Sequence, residues 1–164
     1  VAEAERLLPG KNYVGFSITQ GNVYRKKEWP LASIIKTAKK LVGKNKTPVF
    51  LIEKKYSELK NKIHKSVPES LFPEFETNLN STALVTCLGK KLEYAISIDN
   101  GVMHMLSLSQ TPMVILFGPT ESKKFAPDYK QIIVLDSKKI NNSSDISTIS
   151  CEDVLEAAEQ HLNF

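Results

Sequence analysis

The most constraining stretch of this sequence is residues 94–127, YAISIDNGVMHMLSLSQTPMVILFGPTESKKFAP. Two apolar runs within it, residues 94–98 and 113–117, are too short for an ordinary helix and are typical of strands buried on both faces. Residues 101–109 between them are apolar enough for a packed helix, which is expected to stop at Gln110-Thr111-Pro112. The stretch therefore predicts a strand–helix–strand crossover, which nearly always makes its two strands parallel and neighbouring.

A polar corner is expected where the first of these strands meets the helix, at Asp99, Asn100 and Gly101. Asp and Asn side chains accept free amide hydrogens of a helix's first turn, and glycine allows another molecule to approach closely. The free amides and the helix dipole favour an anion at the carboxyl end of a parallel strand, where α/β sheets bind ligands. His104 lies about one turn further along the same helix face. From these residues alone, an ordinary turn with a capped helix and a structural histidine is the plainer alternative.

The rest of the chain alternates between strand and helix patterns. Apolar runs predict strands at residues 13–18, 48–52 and 131–135, with a short further strand near residues 70–72. Helices are predicted at residues 2–8, 31–43 and 57–64, and after a capping box formed by Ser150 and Asp153, whereas residues 138–150 are predicted to form a loop. This alternation predicts an α/β fold: a three-layer Rossmann-like domain with a mostly parallel sheet of about six strands.

Length and composition predict an ordinary globular domain over residues 1–164, with 41 % hydrophobic and 24 % charged residues. No apolar run approaches the roughly 20 residues that span a bilayer, and the amino terminus does not resemble a signal peptide. Cys87 and Cys151 have neither metal-ligand nor disulfide spacing, so we expect a reduced, cytoplasmic setting and no metal site. Because the chain begins with Val1 rather than Met, we expect it to be part of a longer protein.

The net charge of +4 is unevenly distributed, since the first half of the chain is basic and the second half is acidic. A basic surface attracts nucleic acid, anionic lipid or phosphorylated ligands. Most of the lysines fall on predicted helix surfaces, which favours a simply solvated face. A nucleic-acid-binding domain is the weaker alternative, because the sequence offers no set of aromatic side chains on which bases stack.

The polar corner and the strand after it resemble the signature of glycosyltransferase family 9, the lipopolysaccharide heptosyltransferase family. The sequence D-N-G-x-x-H, followed by L-S-x-S-Q-T-P-M-V-I-L-F-G-P-T, is similar to the family pattern D-[ST]-G-x-x-H-x-A-x-A, an apolar strand and [FY]-G-P-T. Two departures from that pattern are Asn100, where the family has Ser or Thr, and the larger residues at 105–108. The resemblance implies the C-terminal, nucleotide-sugar-binding domain of a GT-B glycosyltransferase.

The resemblance also implies roles for particular residues. Lys27, in the sequence Lys27-Glu28-Trp29-Pro30, matches a family K-x-W-P in which the lysine contacts donor phosphate, although a surface lysine is the alternative. Trp29 is expected to be a packing anchor. The full set implied for the donor and its phosphates is Lys27, Asp99, Asn100, Gly101, His104, Gly118 and Thr120. The set implied for the base and ribose is Glu58, Leu79 and Asn80, with Glu53 an equally defensible choice in place of Glu58.

The reaction implied by the resemblance is inverting transfer of a sugar, typically a heptose, from an ADP-sugar to a lipopolysaccharide or other glycan acceptor, with no metal and no cofactor. The acceptor-binding domain and the catalytic base are expected in an N-terminal domain outside this chain. We therefore expect this chain to bind the nucleotide sugar without transferring it, to bind no nucleic acid, and to associate at most peripherally with the inner face of the inner membrane. A non-catalytic Rossmann-like nucleotide-binding module is the alternative.

Overall fold

A five-stranded, entirely parallel sheet forms the centre of the protein, as seen in a computed structural model that describes residues 2–19, 28–79, 81–120, 122 and 126–161. The strands are β1 (Tyr13–Ser17), β2 (Thr47–Phe50), β3 (Leu92–Ile98), β4 (Met113–Phe117) and β5 (Ile132–Asp136), in the order β2-β1-β3-β4-β5. The predicted crossover is confirmed, because β3 and β4 are parallel neighbours in which Ile98 pairs with Leu116.

Helices cover both faces of the sheet, so the predicted three-layer Rossmann-like architecture is confirmed. Buried side chains of α1 (Ala2–Leu7), α4 (Thr82–Gly89) and α5 (Gly101–Leu108) pack on one face. Those of α2 (Leu31–Gly43), α3 (Ser57–Ser66) and α7 (Cys151–His161) pack on the other. Strands β1 to β4 are almost entirely buried and their sequences are mostly apolar, whereas most of the edge strand β5 is only half-buried. No helix in the described part of the chain is both long and apolar enough to cross a lipid bilayer.

The strand expected near residues 70–72 is a single bridge, in which Leu71 pairs in parallel with Val49. The amide of Phe50 donates to the Leu71 carbonyl at 2.8 Å, and the Leu71 amide donates to the Pro48 carbonyl at 2.9 Å. A 3₁₀ turn (Pro73–Phe75) begins two residues later and ends the pairing. The sheet of about six predicted strands is therefore five strands with one isolated bridge at its edge.

The predicted loop at residues 138–150 is wrong in part, because it contains a short helix, α6 (Ser137–Ile140), and a 3₁₀ turn (Ile146–Thr148). Both are initiated by an aspartate: Asp136 accepts from the Lys138 amide, and Asp145 accepts from the Ser147 amide. One-turn helices of this kind have no apolar period by which a sequence pattern reveals them. The capping box before α7 is confirmed, with reciprocal Ser150–Asp153 bonds of 3.1 and 3.0 Å.

The C-terminal ends of α4 and α5 are fastened together at Gly89. The Thr111 hydroxyl donates to the Gly89 carbonyl at 3.1 Å and lies 2.8 Å from the Ser109 hydroxyl. A Cβ atom at Gly89 would come within 2.6 Å of the Ser109 oxygen and 2.7 Å of the Thr111 oxygen. Close approach of the two helices therefore requires glycine at this position, and this contact fixes α5 against the sheet.

We expect Gly89→Ala to lower the free energy of unfolding by about 1–3 kcal/mol, because the added methyl group overpacks the contact with Ser109 and Thr111. Gly43→Ala is the matched control, since Gly43 also ends a helix but a Cβ there meets nothing within 4 Å and its φ is not positive. The control should raise the free energy of unfolding by about 0.4–1 kcal/mol. Urea unfolding of both variants measures the difference, and equal effects would contradict the packing account.

Candidate functional site

The carboxyl ends of the strands carry the candidate site, at the point where the strand order changes direction. The chain passes from β1 outward to β2 and returns to the other side of β1 as β3, so the reversal falls between β1 and β3. Parallel α/β sheets bind ligands in the crevice at such a switch point. Residues 18–19 after β1, the polar corner after β3 and residues 118–120 after β4 lie at this edge. The edge therefore brings the predicted residues at 99–101 close to those at 118–120.

Asn100 ties the two strands of the switch point together. Its Oδ1 accepts from the Met103 amide at 2.9 Å, which makes it the N-cap of α5, and from the Ser17 hydroxyl at 3.0 Å. Its Nδ2 donates to the Thr19 carbonyl at 2.9 Å. Both lone pairs of the side-chain oxygen are occupied within the protein. Asn100 thus shapes the crevice, and its carboxamide oxygen is not available to a ligand.

The first turn of α5 is open to solvent. A Cβ atom built on Gly101 would meet nothing within 4 Å, and the residue's φ is not positive, so neither packing nor backbone geometry requires glycine there. The helix itself offers no acceptor to the amides of Gly101 and Val102. His104 is exposed one turn further along, whereas Asp99 is only 5 % exposed. Gly101 and His104 are therefore the accessible members of the predicted group, and Asp99 is buried beneath them.

Gly118 and Thr120, which follow β4, make close contacts and hydrogen bonds with residues after β5. Gly118 is buried, and a Cβ there would come within 2.9 Å of the Ser144 carbonyl oxygen and 3.0 Å of the Ile146 nitrogen. The hydroxyl oxygen of Thr120 is buried and has no hydrogen-bond partner among the described residues. Lys138, which the sequence analysis did not single out, donates from Nζ to the carbonyls of Gly118 and Thr120. Its only signal in the sequence is its position just after the last predicted strand, at the same edge of the sheet.

A separate cleft of about 240 Å³ lies beyond the end of β2. The described residues that line it are Glu53, Lys54, Lys55, Glu74, Asn78 and Leu79. Glu58 is not among them and lies exposed in the first turn of α3. The predicted residue Leu79 is present and 52 % exposed. Of the two acidic residues left open by the sequence, Glu53 is the one that the cleft favours.

The cleft brings two carboxylates together. Burial of Glu74, and then the negative charge of Glu53, raise the pKa of the Glu74 carboxyl above its ordinary value. Lys55 lies 3.9 Å from Glu53, as an exposed ion pair. Carboxylate oxygens accept hydrogen bonds from hydroxyl groups, and Leu79 offers an exposed apolar surface beside them. This combination suits a ligand with neighbouring hydroxyl groups and a flat apolar part.

Two of the predicted site residues, Lys27 and Asn80, lie outside the described residues. Trp29 is 2 % exposed, and its Nε1 donates to the Ile149 carbonyl at 2.9 Å, so its expected role as a packing anchor is confirmed. Within the described ranges, no three His, Cys, Asp or Glu residues are grouped in a way that could hold a metal ion.

Comparison with known protein families identifies the family that this chain matches. The sequence profile of glycosyltransferase family 9 (heptosyltransferase) matches residues 2–154, which is most of the chain. No curated protein sequence matches at a significant level.

Solved structures of the same family share the fold. The glycosyl transferase family 9 protein from Veillonella parvula DSM 2008 matches with a TM-score of 0.80 and 21 % identity, over 96 % of this chain and 49 % of that chain. E. coli ADP-heptose lps heptosyltransferase II matches with a TM-score of 0.77 and 19 % identity, over 96 % of this chain and 50 % of that chain. E. coli heptosyltransferase WaaC, determined with ADP, matches with a TM-score of 0.79 and 15 % identity, over 96 % of this chain and 48 % of that chain. The chain thus spans about half the length of the structures it matches, and corresponds to one Rossmann-like domain of a GT-B enzyme.

We expect Asn100→Ala to destabilise the protein more than Ser81→Ala. Both residues are N-caps of eight-residue helices, but among the described residues the Ser81 side chain makes only the capping bond, to the Leu84 amide at 3.2 Å. Loss of that cap costs about 0.5–2 kcal/mol, and the two further bonds of Asn100 add roughly 1–3 kcal/mol. Thermal or urea unfolding measures the free energy of unfolding of both variants. Equal losses would show that the bonds from Asn100 to Ser17 and Thr19 do not stabilise the protein.

Proposed function

The chain belongs to glycosyltransferase family 9, and we propose that it is the donor-binding, C-terminal domain of an inverting, metal-independent glycosyltransferase. Its donor is an ADP-sugar, of the heptose type, and its acceptor is a lipopolysaccharide core or related glycan. Structures of a related enzyme, WaaC, contain ADP and ADP-2-deoxy-2-fluoro heptose, which supports ADP as the nucleotide. The acceptor site and the catalytic base belong to the half of the enzyme outside this chain.

The open first turn of α5 is the observation that carries the proposal. The space above Gly101 admits a phosphate group, which the amides of Gly101 and Val102 and the positive end of the helix dipole bind. His104 donates a hydrogen bond from the same exposed face, and we assign the positive charge of Lys27 to the diphosphate on the family resemblance. We assign the backbone of Gly118 and Thr120 to the far side of the diphosphate and the sugar.

These groups act on the leaving group. When the glycosidic bond to the donor breaks, negative charge accumulates on the diphosphate, and fixed hydrogen-bond donors lower the barrier because they are already oriented toward it. Loss of one such donor typically raises the barrier by about 2.7–4 kcal/mol. No step of this scheme uses a general base from within this chain.

The cleft beyond β2 is assigned to the nucleoside. Glu53 accepts hydrogen bonds from the ribose hydroxyls, and Leu79 lies against the base; Asn80 is assigned to the base on the family resemblance alone. The cleft and α5 are separated by β1, so the ends of β2 and β3 are about 10 Å apart at the usual strand spacing. A nucleoside diphosphate extends across that distance with its base at β2 and its phosphates at β3. A free phosphate or a free nucleoside would occupy only one end.

Calorimetric titration of this chain with ADP and with adenosine tests the proposal. ADP should bind more tightly, and Gly101→Val should weaken ADP binding about tenfold or more while leaving adenosine binding unchanged, because the new side chain fills only the phosphate space. Unfolding of this variant should resemble that of the wild type, since nothing lies within 4 Å of the added Cβ. Unchanged ADP affinity would contradict the phosphate site, and turnover of ADP-heptose by this chain alone would contradict its donor-only role.

The choice between the two acidic residues is tested by Glu53→Gln and Glu58→Gln. We expect Glu53→Gln to weaken ADP and adenosine binding by about tenfold or more, since a hydrogen bond to a charged acceptor contributes about 1.5–3 kcal/mol. Glu58→Gln makes the same chemical change on an exposed helix turn and should leave both affinities unchanged. The opposite ranking would place the ribose on α3.

A further inference from the structure

Three acceptors converge on the ammonium group of Lys138, at the carboxyl end of β5. Nζ donates to the carbonyl oxygen of Gly118 and, at 2.7 Å, to that of Thr120, and it lies 3.2 Å from Oδ1 of Asp136. An ammonium group has three N–H donors, so these acceptors use all of them. Lys138 is thus occupied by the protein and is not a free cation for a ligand.

The buried carboxylate of Asp136 bonds to both Lys138 and Ser122. It is 3 % exposed, its Oδ1 accepts from the Lys138 amide at 3.0 Å, and its Oδ2 accepts from the Ser122 hydroxyl at 3.0 Å. Burial acts to raise the pKa of the Asp136 carboxyl, but the bonds from Lys138 and Ser122 outweigh it and hold that pKa below its ordinary value. The carboxylate is therefore charged, and its charge keeps the Lys138 ammonium in place.

The pair restrains three points of one short loop. Gly118 and Thr120 are held through their carbonyl groups by Lys138, and Ser122 is held through its hydroxyl by Asp136. The packing of Gly118 against Ser144 and Ile146 is satisfied without Lys138, and two carbonyls at the edge of a loop are readily hydrated. The fold of this edge does not by itself require a half-exposed lysine paired with a buried carboxylate here. What the pair adds is a loop already ordered before a ligand arrives.

We propose that Asp136 and Lys138 are positioning residues that pre-order Gly118, Thr120 and Ser122 for the diphosphate and sugar of the donor. The inference rests on the proposed function, because it assigns a donor to this edge. Pre-ordering removes the entropic cost of fixing the loop on binding. The effect belongs to the phosphate end of the ligand, because the loop follows β4 whereas the nucleoside cleft follows β2, on the other side of β1 and β3.

The test compares Lys138→Met with Lys139→Met, a matched control that removes the same charge from the exposed neighbouring lysine. We expect Lys138→Met to weaken ADP binding about tenfold, to leave adenosine binding unchanged, and to speed amide hydrogen exchange at Gly118 and Thr120 without ligand. Lys139→Met should change none of these. Lys138→Arg, which keeps the positive charge, should recover part of the ADP affinity.

Lys138→Met leaves the buried Asp136 carboxylate without its cation, which can itself unfold the protein. The double variant Asp136→Asn/Lys138→Met removes both charges, so it should fold and still bind ADP weakly. If the wild type binds ADP and the folded double variant binds it equally well, the positioning role is overturned while the proposed function stands. If the wild type does not bind ADP, the proposed function falls and the positioning role falls with it.

Discussion

The parallel pairing of β1 with β3 is the constraint on which the site depends. The pairing brings Ser17 beside Ser97 at the end of the two strands, and the side chain of Asn100 then closes the gap between β1 and α5. Because β2 lies on the far side of β1, the strand order reverses between β1 and β3 and leaves a crevice there. A different neighbour for β1 would separate the cleft beyond β2 from the open first turn of α5, and the single ligand that we propose could not reach both.

Residues at this edge divide into those that the protein uses and those left to a ligand. The side chains of Asn100 and Lys138 are engaged in hydrogen bonds within the chain. Gly101, His104 and Glu53 are exposed. Asn100 stands where the family pattern has Ser or Thr, and its longer side chain reaches Ser17 and the Thr19 carbonyl; the anion site that we propose is then formed by the backbone of α5.

Much of the fold was predictable, because strands buried on both faces and amphipathic helices leave clear patterns in the sequence. The crossover at residues 94–117 and the caps at Asn100 and Ser150 are local features, so the sequence was enough to find them. Contacts between distant segments were not predictable. Lys138 bonds to Gly118 across 20 positions, and the cleft brings Glu53 together with Glu74 and Leu79, which lie more than 20 positions later.

The account is tested most directly by mapping backbone amide chemical shifts of this chain as ADP is added. It predicts the largest changes in the first turn of α5 and at Gly118 and Thr120, accompanied by changes at residues 53–55 and 78–79. Changes confined to another part of the surface, such as the groove between β5 and α7 lined by Leu135 and Glu156, would contradict it. So would a spectrum that ADP leaves unchanged.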